Sequence, residues 1–409
     1  MLKIRKTICS KDFFTLLLLL FWGRDHLLGY AETVMKKIPL VNIVAQWVIP
    51  FIVVVCIAAA LPYMVKSISY KDVIFVLCVG LAYCLNLLIY KSTHKYLREI
   101  GTALWTTVLP VYFIGLCMDV KESGKMLYRL SMLNVWLLMF VSLVLGDPMS
   151  DTRSLYEGAM GRAYNMLPQV LVICIFVFEK PNVWNISTLV VSSIYLFTCG
   201  TRGAVLCLFV FIIAYVLFRK PVKKHIALYC VVLLVMAVIL IFYRPILLGL
   251  KFIAVELGMS DRTINKMLSG AFFTSTGRDT LKNVVVKGIL ARPVLGYGIA
   301  GDRTLVGIYV HNLALEFLAS YGVILGSILL MALAVVIIMG YRKAQNSETK
   351  AFILMLCCAV ILKLFMSSTY LQEELFFLLL GLCIRQIRNA GGLWGGLFRL
   401  RSNRLGDTV

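Results

Sequence analysis

LASYGVILGSILLMALAVVIIMGY, residues 318–341, runs from just after Glu316-Phe317 to Arg342-Lys343 without one charged side chain. A helix rises about 1.5 Å per residue, so about 20 apolar residues cross the hydrocarbon layer of a bilayer and this stretch predicts a transmembrane helix. Extending the same reading outward predicts about twelve spans: 12–30, 40–64, 72–91, 102–119, 126–146, 164–179, 184–199, 202–218, 225–243, 318–341, 350–368 and 371–388. The first is interrupted by Arg24, Asp25 and His26 and preceded by Lys3, Arg5, Lys6 and Lys11. With no clear small-x-small cleavage site after it, it reads as an uncleaved signal anchor.

Composition points the same way. Hydrophobic residues make up 61% and charged residues 15% of the chain, and a mean hydropathy of +0.90 is incompatible with one soluble core. The net charge of +21 would suggest nucleic acid in a soluble domain, but the basic residues fall in short gaps between apolar runs, where they set topology. The twelve cysteines sit mostly inside apolar runs and lack the paired spacing of a metal site or a disulfide framework, so they read as packing residues.

Orientation follows from the loops. Arg219, Lys220, Lys223 and Lys224 form one basic cluster, Arg342 and Lys343 another, and the tail carries Arg385, Arg388, Arg399, Arg401 and Arg404. By the positive-inside rule these are cytoplasmic, and both termini then lie inside. Two early loops, with Lys36 and Lys37 and with Lys91, Lys95 and Arg98, run against the rule. The whole chain, 1–409, is expected to form one integral membrane domain, with 244–317 as a large extracytoplasmic loop. Phe252–Leu257 and Thr280–Leu290 have helical apolar spacing there, Asp261 is a candidate N-cap, and Pro293 with the following glycines breaks the chain before it re-enters the membrane. Short helices over the bundle are expected.

With that topology Arg162, Arg202, Arg278 and His311 share the outer side. Arg202, in Thr201-Arg202-Gly203, and Arg162, in Gly161-Arg162-Ala163, each open a span from outside, where a guanidinium binds an anion or snorkels to lipid phosphates. Arg278 precedes a predicted helix, and taken alone is a solvated loop arginine. His311 ends the large loop, with Glu316 one helical turn after Asn312; an imidazole there can exchange a proton near neutral pH or serve as a hydrogen-bonded structural residue. Gly296-Tyr297-Gly298-Ile299-Ala300-Gly301 matches the dinucleotide fingerprint literally, but no strand-helix-strand unit surrounds it and it reads as a flexible turn. There is no Walker loop, no His/Cys metal spacing and no aspartate pair, so no cofactor is indicated.

Arg202-Gly203, Gly277-Arg278-Asp279, the Pro-x-x-Gly-x-Gly stretch from Pro293 to Gly298, His311-Asn312, Leu315-Glu316 and Tyr321-Gly322 together resemble the O-antigen ligase and polymerase superfamily. These motifs cover about 160–325, and the first half matches only as a multispan pattern. The resemblance implies an all-α polytopic GT-C-like fold in the cytoplasmic membrane. It also implies transfer of glycan from an undecaprenyl diphosphate carrier to a glycan acceptor on the outer face, without metal or nucleotide sugar. It assigns Arg202 and Arg278 to the diphosphate and His311 to the site's proton or substrate handling, with Arg162, Asn312 and Glu316 as substrate-contacting residues. A chain-length regulator is an implied partner; nucleic acid is not. Polymerase, ligase and transporter remain as readings, the last because Lys363 lies inside a predicted span, although no two-halves repeat is evident.

Overall fold

The computed structural model describes residues 10–23, 39–144, 153–199, 201–219, 241–256, 261–270 and 278–391. Its elements are α1 (10–23), α2 (Pro39–Met64), α3 (Tyr70–Ile89), α4 (Lys91–Cys117), α5 (Val120–Val144), α6 (Arg153–Glu179), α7 (Val183–Thr198), α8 (Arg202–Arg219), α9 (Tyr243–Glu256), α10 (Arg262–Leu268), α11 (Arg278–Ala291), α12 (Gly301–Val306), α13 (Leu313–Lys343), α14 (Ser347–Met366) and α15 (Glu374–Asn389). No strand occurs among the described residues.

Five stretches there are long and apolar enough to cross a membrane: Tyr70–Ile89, Lys91–Cys117, Gly161–Glu179, Leu313–Lys343 and Ser347–Met366. Val54–Met64, Val183–Phe197 and Arg202–Phe218 are apolar but shorter. The predicted span 225–243 lies almost wholly outside the described residues, as do Ser275–Gly277 and the basic tail beyond Gly391.

Three sequence expectations change. Lys91, Lys95 and Arg98 are not in a loop: the first turns of α4 are amphipathic, burying Leu97 and Ile100 while those cations stay exposed, so the helix begins a dozen residues before its apolar part. Arg162 stands at the start of the apolar stretch Gly161–Glu179, as expected, but the helix itself begins about two turns earlier. α6 starts at Arg153, because its first turns are polar but carry no proline before Pro168, and a hydropathy criterion alone reads such turns as loop. Asp261 precedes α10 without a side-chain cap bond and instead pairs with Lys251 at 3.7 Å.

The described chain divides into two compact units, one of residues 1–63 and 122–274, the other of 64–121 and 275–409. In the first, polar side chains stitch helices together as expected where water cannot satisfy them. Trp22 Nε1 donates to Gln169 Oε1 at 2.7 Å and to Ser131 Oγ at 3.1 Å, joining α1, α5 and α6. Trp136 donates to Thr188 at 3.0 Å, and Tyr215 to Glu179 at 2.5 Å. Leu247, Ala254 and Ile264 pack α9 on α10.

In the second unit glycines bring helices into backbone contact. A Cβ on Gly115 would lie 2.5 Å from the Leu378 carbonyl and one on Gly381 2.2 Å from that of Tyr112, so α4 and α15 meet through this pair. Asp72 of α3, fully buried, receives both guanidinium nitrogens of Arg388 and the hydroxyl of Tyr112 at 2.8 Å, which ties α3 and α4 to α15.

α13 is broken at Gly322, whose φ of 77° and ψ of 173° are accessible only to glycine. The break admits the Pro293–Gly298 turn: Tyr297 N–H donates to Ala319 O at 2.8 Å, Gly298 N–H to Ser320 O at 3.0 Å, and Val323 N–H to Pro293 O at 2.6 Å. Asn86 of α3 accepts from Ile299 N–H at 2.7 Å and Tyr90 donates to Leu295 O at 3.1 Å. The glycine-rich turn is therefore pinned from two sides, not flexible as its composition suggests.

Candidate functional site

α11 begins at Arg278 and lays one stripe inward. Val285 and Ile289 are buried in a cluster with Val310 and Ala319, so the helix packs on the start of α13 and on the segment leading into it. Arg278 lies on the same stripe, seven residues before Val285, or close to two turns. Its guanidinium donates to the Met366 carbonyl at the end of α14.

His311 sits between two anchors. One residue before it, Val310 N–H donates to Asp302 Oδ2 at 2.8 Å; one residue after it, Asn312 caps α13, its Oδ1 accepting from Leu315 N–H at 3.0 Å. Between them His311 adopts φ 56°, a left-handed conformation that costs a residue with a Cβ about 1–3 kcal/mol and persists where neighbours impose it. Its ring packs against Tyr309 at 4.3 Å between centroids.

His311 Nδ1 is buried with no hydrogen-bond partner among the described residues. The Ser367 backbone beside the ring favours its protonated form. Burial first, and Arg278 and Lys282 by their charge, pull the His311 pKa down to about 4 against the Ser367 bond. The ring is a neutral acceptor across the physiological range.

Behind it lies a polar cluster that the sequence does not announce. Asp302 is fully buried and Arg303 nearly so, the latter's guanidinium 5.8 Å from the Tyr309 ring centre. Asp302 Oδ1 and Arg303 Nη1 have no hydrogen-bond partner among the described residues. Burial pushes the Asp302 carboxyl above the ordinary aspartate range, against the lowering by Val310 N–H. Glu316, also buried, accepts from Thr369 Oγ1 and from Tyr370 N–H at 3.4 Å. It thereby anchors the 369–370 turn. The Asn312 carbonyl oxygen is likewise taken up by its cap.

Arg278, His311, Asn312 and Glu316 belong to the second unit, Arg162 and Arg202 to the first. Arg202 is the first residue of α8, as expected, and Arg162 lies inside α6; both are half-buried. The one readable sign of Lys282 is its i+4 spacing from Arg278; nothing in the sequence ties Asp302 to His311 across a glycine-bounded turn.

Fold and site define a membrane protein, helical throughout its described residues, that carries a neutral imidazole near two cations without an ion pair among those residues. Within that class, the sequence model of the O-antigen ligase family matches residues 187–330, from α7 into α13, and supports placement in the O-antigen ligase and polymerase superfamily. The matched stretch contains Arg202, Arg278, His311, Asn312 and Glu316 but not Arg162. No curated protein and no solved structure matches the chain.

Proposed function

We propose that this protein transfers glycan from an undecaprenyl-diphosphate-linked donor to a sugar hydroxyl. In this reading it is a polymerase that joins repeat units into an O-antigen or capsular polysaccharide at the outer face of the cytoplasmic membrane. The observation that carries the reading is the free, buried Nδ1 of His311 beside the Arg278 guanidinium.

Breaking the bond between the anomeric carbon and the diphosphate oxygen leaves negative charge on that oxygen. A fixed guanidinium in a site with little water stabilises the charge as it develops. The attacking hydroxyl oxygen forms the new bond to the anomeric carbon from the opposite side, which inverts the centre, and its proton passes to His311 Nδ1. A diphosphate entering the site opposes the positive charge that depresses the His311 pKa, so the base strengthens when the donor is bound. The lipid diphosphate leaves as the anion, and His311 releases the proton to solvent.

A ligase shares every one of these steps and differs in its acceptor; the description of the matched family favours keeping it as the second reading. The test is the purified protein in detergent with its lipid-diphosphate-linked repeat unit as sole substrate, products resolved by size. A ladder of longer lipid-linked glycans lost in Arg278→Ala is the expected result. No ladder, but one transfer when a lipid core is supplied, identifies a ligase; inertness with both acceptors refutes the proposal. If His311→Ala turns over like wild type while Arg278→Ala does not, His311 is structural.

A further inference from the structure

The inward stripe of α11 carries a second cation. Arg278, Lys282, Val285 and Ile289 recur at i, i+4, i+7 and i+11, the spacing of one helix face. Val285 and Ile289 are buried against Val310 and Ala319, whereas Asp279, Asn283, Val286, Lys287 and Leu290 are exposed. Lys282 therefore lies on the face turned to the Val310–His311 segment and Lys287 on the opposite one. Its charge reaches His311, as that of Arg278 does. Neither cation forms an ion pair with a carboxylate among the described residues, although other cations of the same unit do, Lys363 with Glu373 and Arg388 with Asp72.

Two inward cations beside a neutral imidazole, neither paired with a carboxylate among the described residues, form an arrangement suited to an anion carrying more than one charge. Residues four apart on a helix have Cβ atoms about 5–6 Å apart, close enough for both side chains to close on two linked phosphates. The guanidinium offers a planar fork to one phosphate and the ammonium a movable point charge to the other.

We propose that Lys282 is a further phosphate-binding residue which, together with Arg278, makes the site select a diphosphate over a monophosphate. This rests on the glycosyl-transfer reading above. The stem of Lys282 packs on the stripe while its ammonium addresses the ligand. Loss of the charge alone therefore removes selection and spares the fold.

The experiment titrates the full chain in neutral detergent, without divalent ions, with inorganic pyrophosphate and with orthophosphate, followed by calorimetry. Lys282→Met keeps the stem and removes the charge, Lys282→Arg keeps the charge, and Lys287→Met is the control on the outward face; each is checked for an unchanged melting temperature. Wild type and Lys287→Met are expected to bind pyrophosphate at least ~10-fold tighter than orthophosphate, Lys282→Arg to keep most of that ratio, and Lys282→Met to reduce it to ~2-fold or less, the loss of one charge-assisted contact. A wild-type ratio in Lys282→Met overturns the role of Lys282 while the glycosyl-transfer reading stands, provided Arg278→Ala abolishes pyrophosphate binding. If Arg278→Ala binds pyrophosphate as wild type does, or wild type shows no preference, the anion site itself fails. A preference for diphosphate in the lipid-linked donor assay but not with the inorganic ion assigns the selection to the lipid and also overturns the proposal.

Discussion

The buried carboxylate of Asp302 accepts the backbone N–H of Val310 at 2.8 Å and thereby fixes the chain one residue before His311. That bond and the Asn312 cap hold the His311 backbone at φ 56°. Asp302→Ala removes the upstream anchor and lets the segment relax toward ordinary φ. A displacement of the base by about 1 Å costs on the order of 10²-fold in turnover. The measurement is kcat in the size-resolved assay, with KM for the donor expected to change far less than kcat. Loss of donor affinity with unchanged kcat would show that Asp302 does not position the base.

His311 also predicts a pH dependence of stability. Its pKa is about 4 in the folded protein and about 6.5 when unfolded, so between those values the unfolded chain holds the extra proton. Stability contributed by this group is fully present above pH 6.5 and is lost as pH falls toward 4. The melting temperature of the detergent-solubilised protein should fall over that window, and His311→Gln, which cannot titrate, should flatten the fall. Pyrophosphate should shift the inflection upward, because an anion near the ring favours its charged form.

Gly322 sits where the Pro293–Gly298 turn enters α13, and a Cβ there would stand 2.1 Å from the Val294 carbonyl oxygen. Gly322→Ala combines this overlap with a backbone conformation that only glycine adopts, and should destabilise by more than about 2 kcal/mol. Gly124 offers the contrast: it lies within α5, where an added Cβ would meet nothing within 4 Å, and Gly124→Ala should be neutral or stabilise by up to about 1 kcal/mol. Thermal melting of both variants decides; equal melting temperatures would remove the break at Gly322 from the account of the site.

How far the sequence can be read is clearest at α13. Its apolar run identifies a span, and Arg342-Lys343 and Asn312 mark the two ends that the helix takes, because length, end charge and capping are local properties. Gly322 inside that run looks like an ordinary membrane glycine. Its role depends on a backbone thirty residues upstream, which no periodicity encodes. Arg278 and His311 stand out in the sequence through residue type and order, and both fall in the second unit. The partners of Glu316 are not legible in this way, since proximity in sequence says nothing about which turn a carboxylate faces; Thr369 and Tyr370 hold it. The amphipathic start of α4 resembles a loop in sequence because its cations outweigh Leu97 and Ile100 in a hydropathy sum.

Arg202 and Arg162 separate two kinds of expectation. Arg202 opens α8 after the buried Thr201 and falls within the matched 187–330 stretch, whereas Arg162 lies inside α6 and outside it. If Arg202 serves the donor diphosphate, Arg202→Ala should cut turnover by about 10²–10³-fold, the scale on which one stabilising donor acts on a developing oxyanion. Arg162→Ala should leave kcat within a few-fold and show its effect in melting temperature. A reversed pattern in the donor assay would transfer the anion-binding role to α6.

Lys363 is the residue that favours a transporter, and it is paired: its Nζ lies 2.5 Å from Glu373 Oε2, with side-chain exposures of 15% and 9%. Ser368 Oγ donates to the same carboxylate oxygen at 3.1 Å. A pair so enclosed reads as a structural tie between α14 and the start of α15. Removing one partner strands a buried charge, so Glu373→Ala should destabilise by about 3–5 kcal/mol, while Lys363→Met with Glu373→Leu removes both charges together and should be close to neutral. Glycan transfer should survive in the double variant. If that variant melts like wild type yet loses transfer, the charges themselves take part in function, and a coupled ion or proton movement through α14 would have to be added to the mechanism.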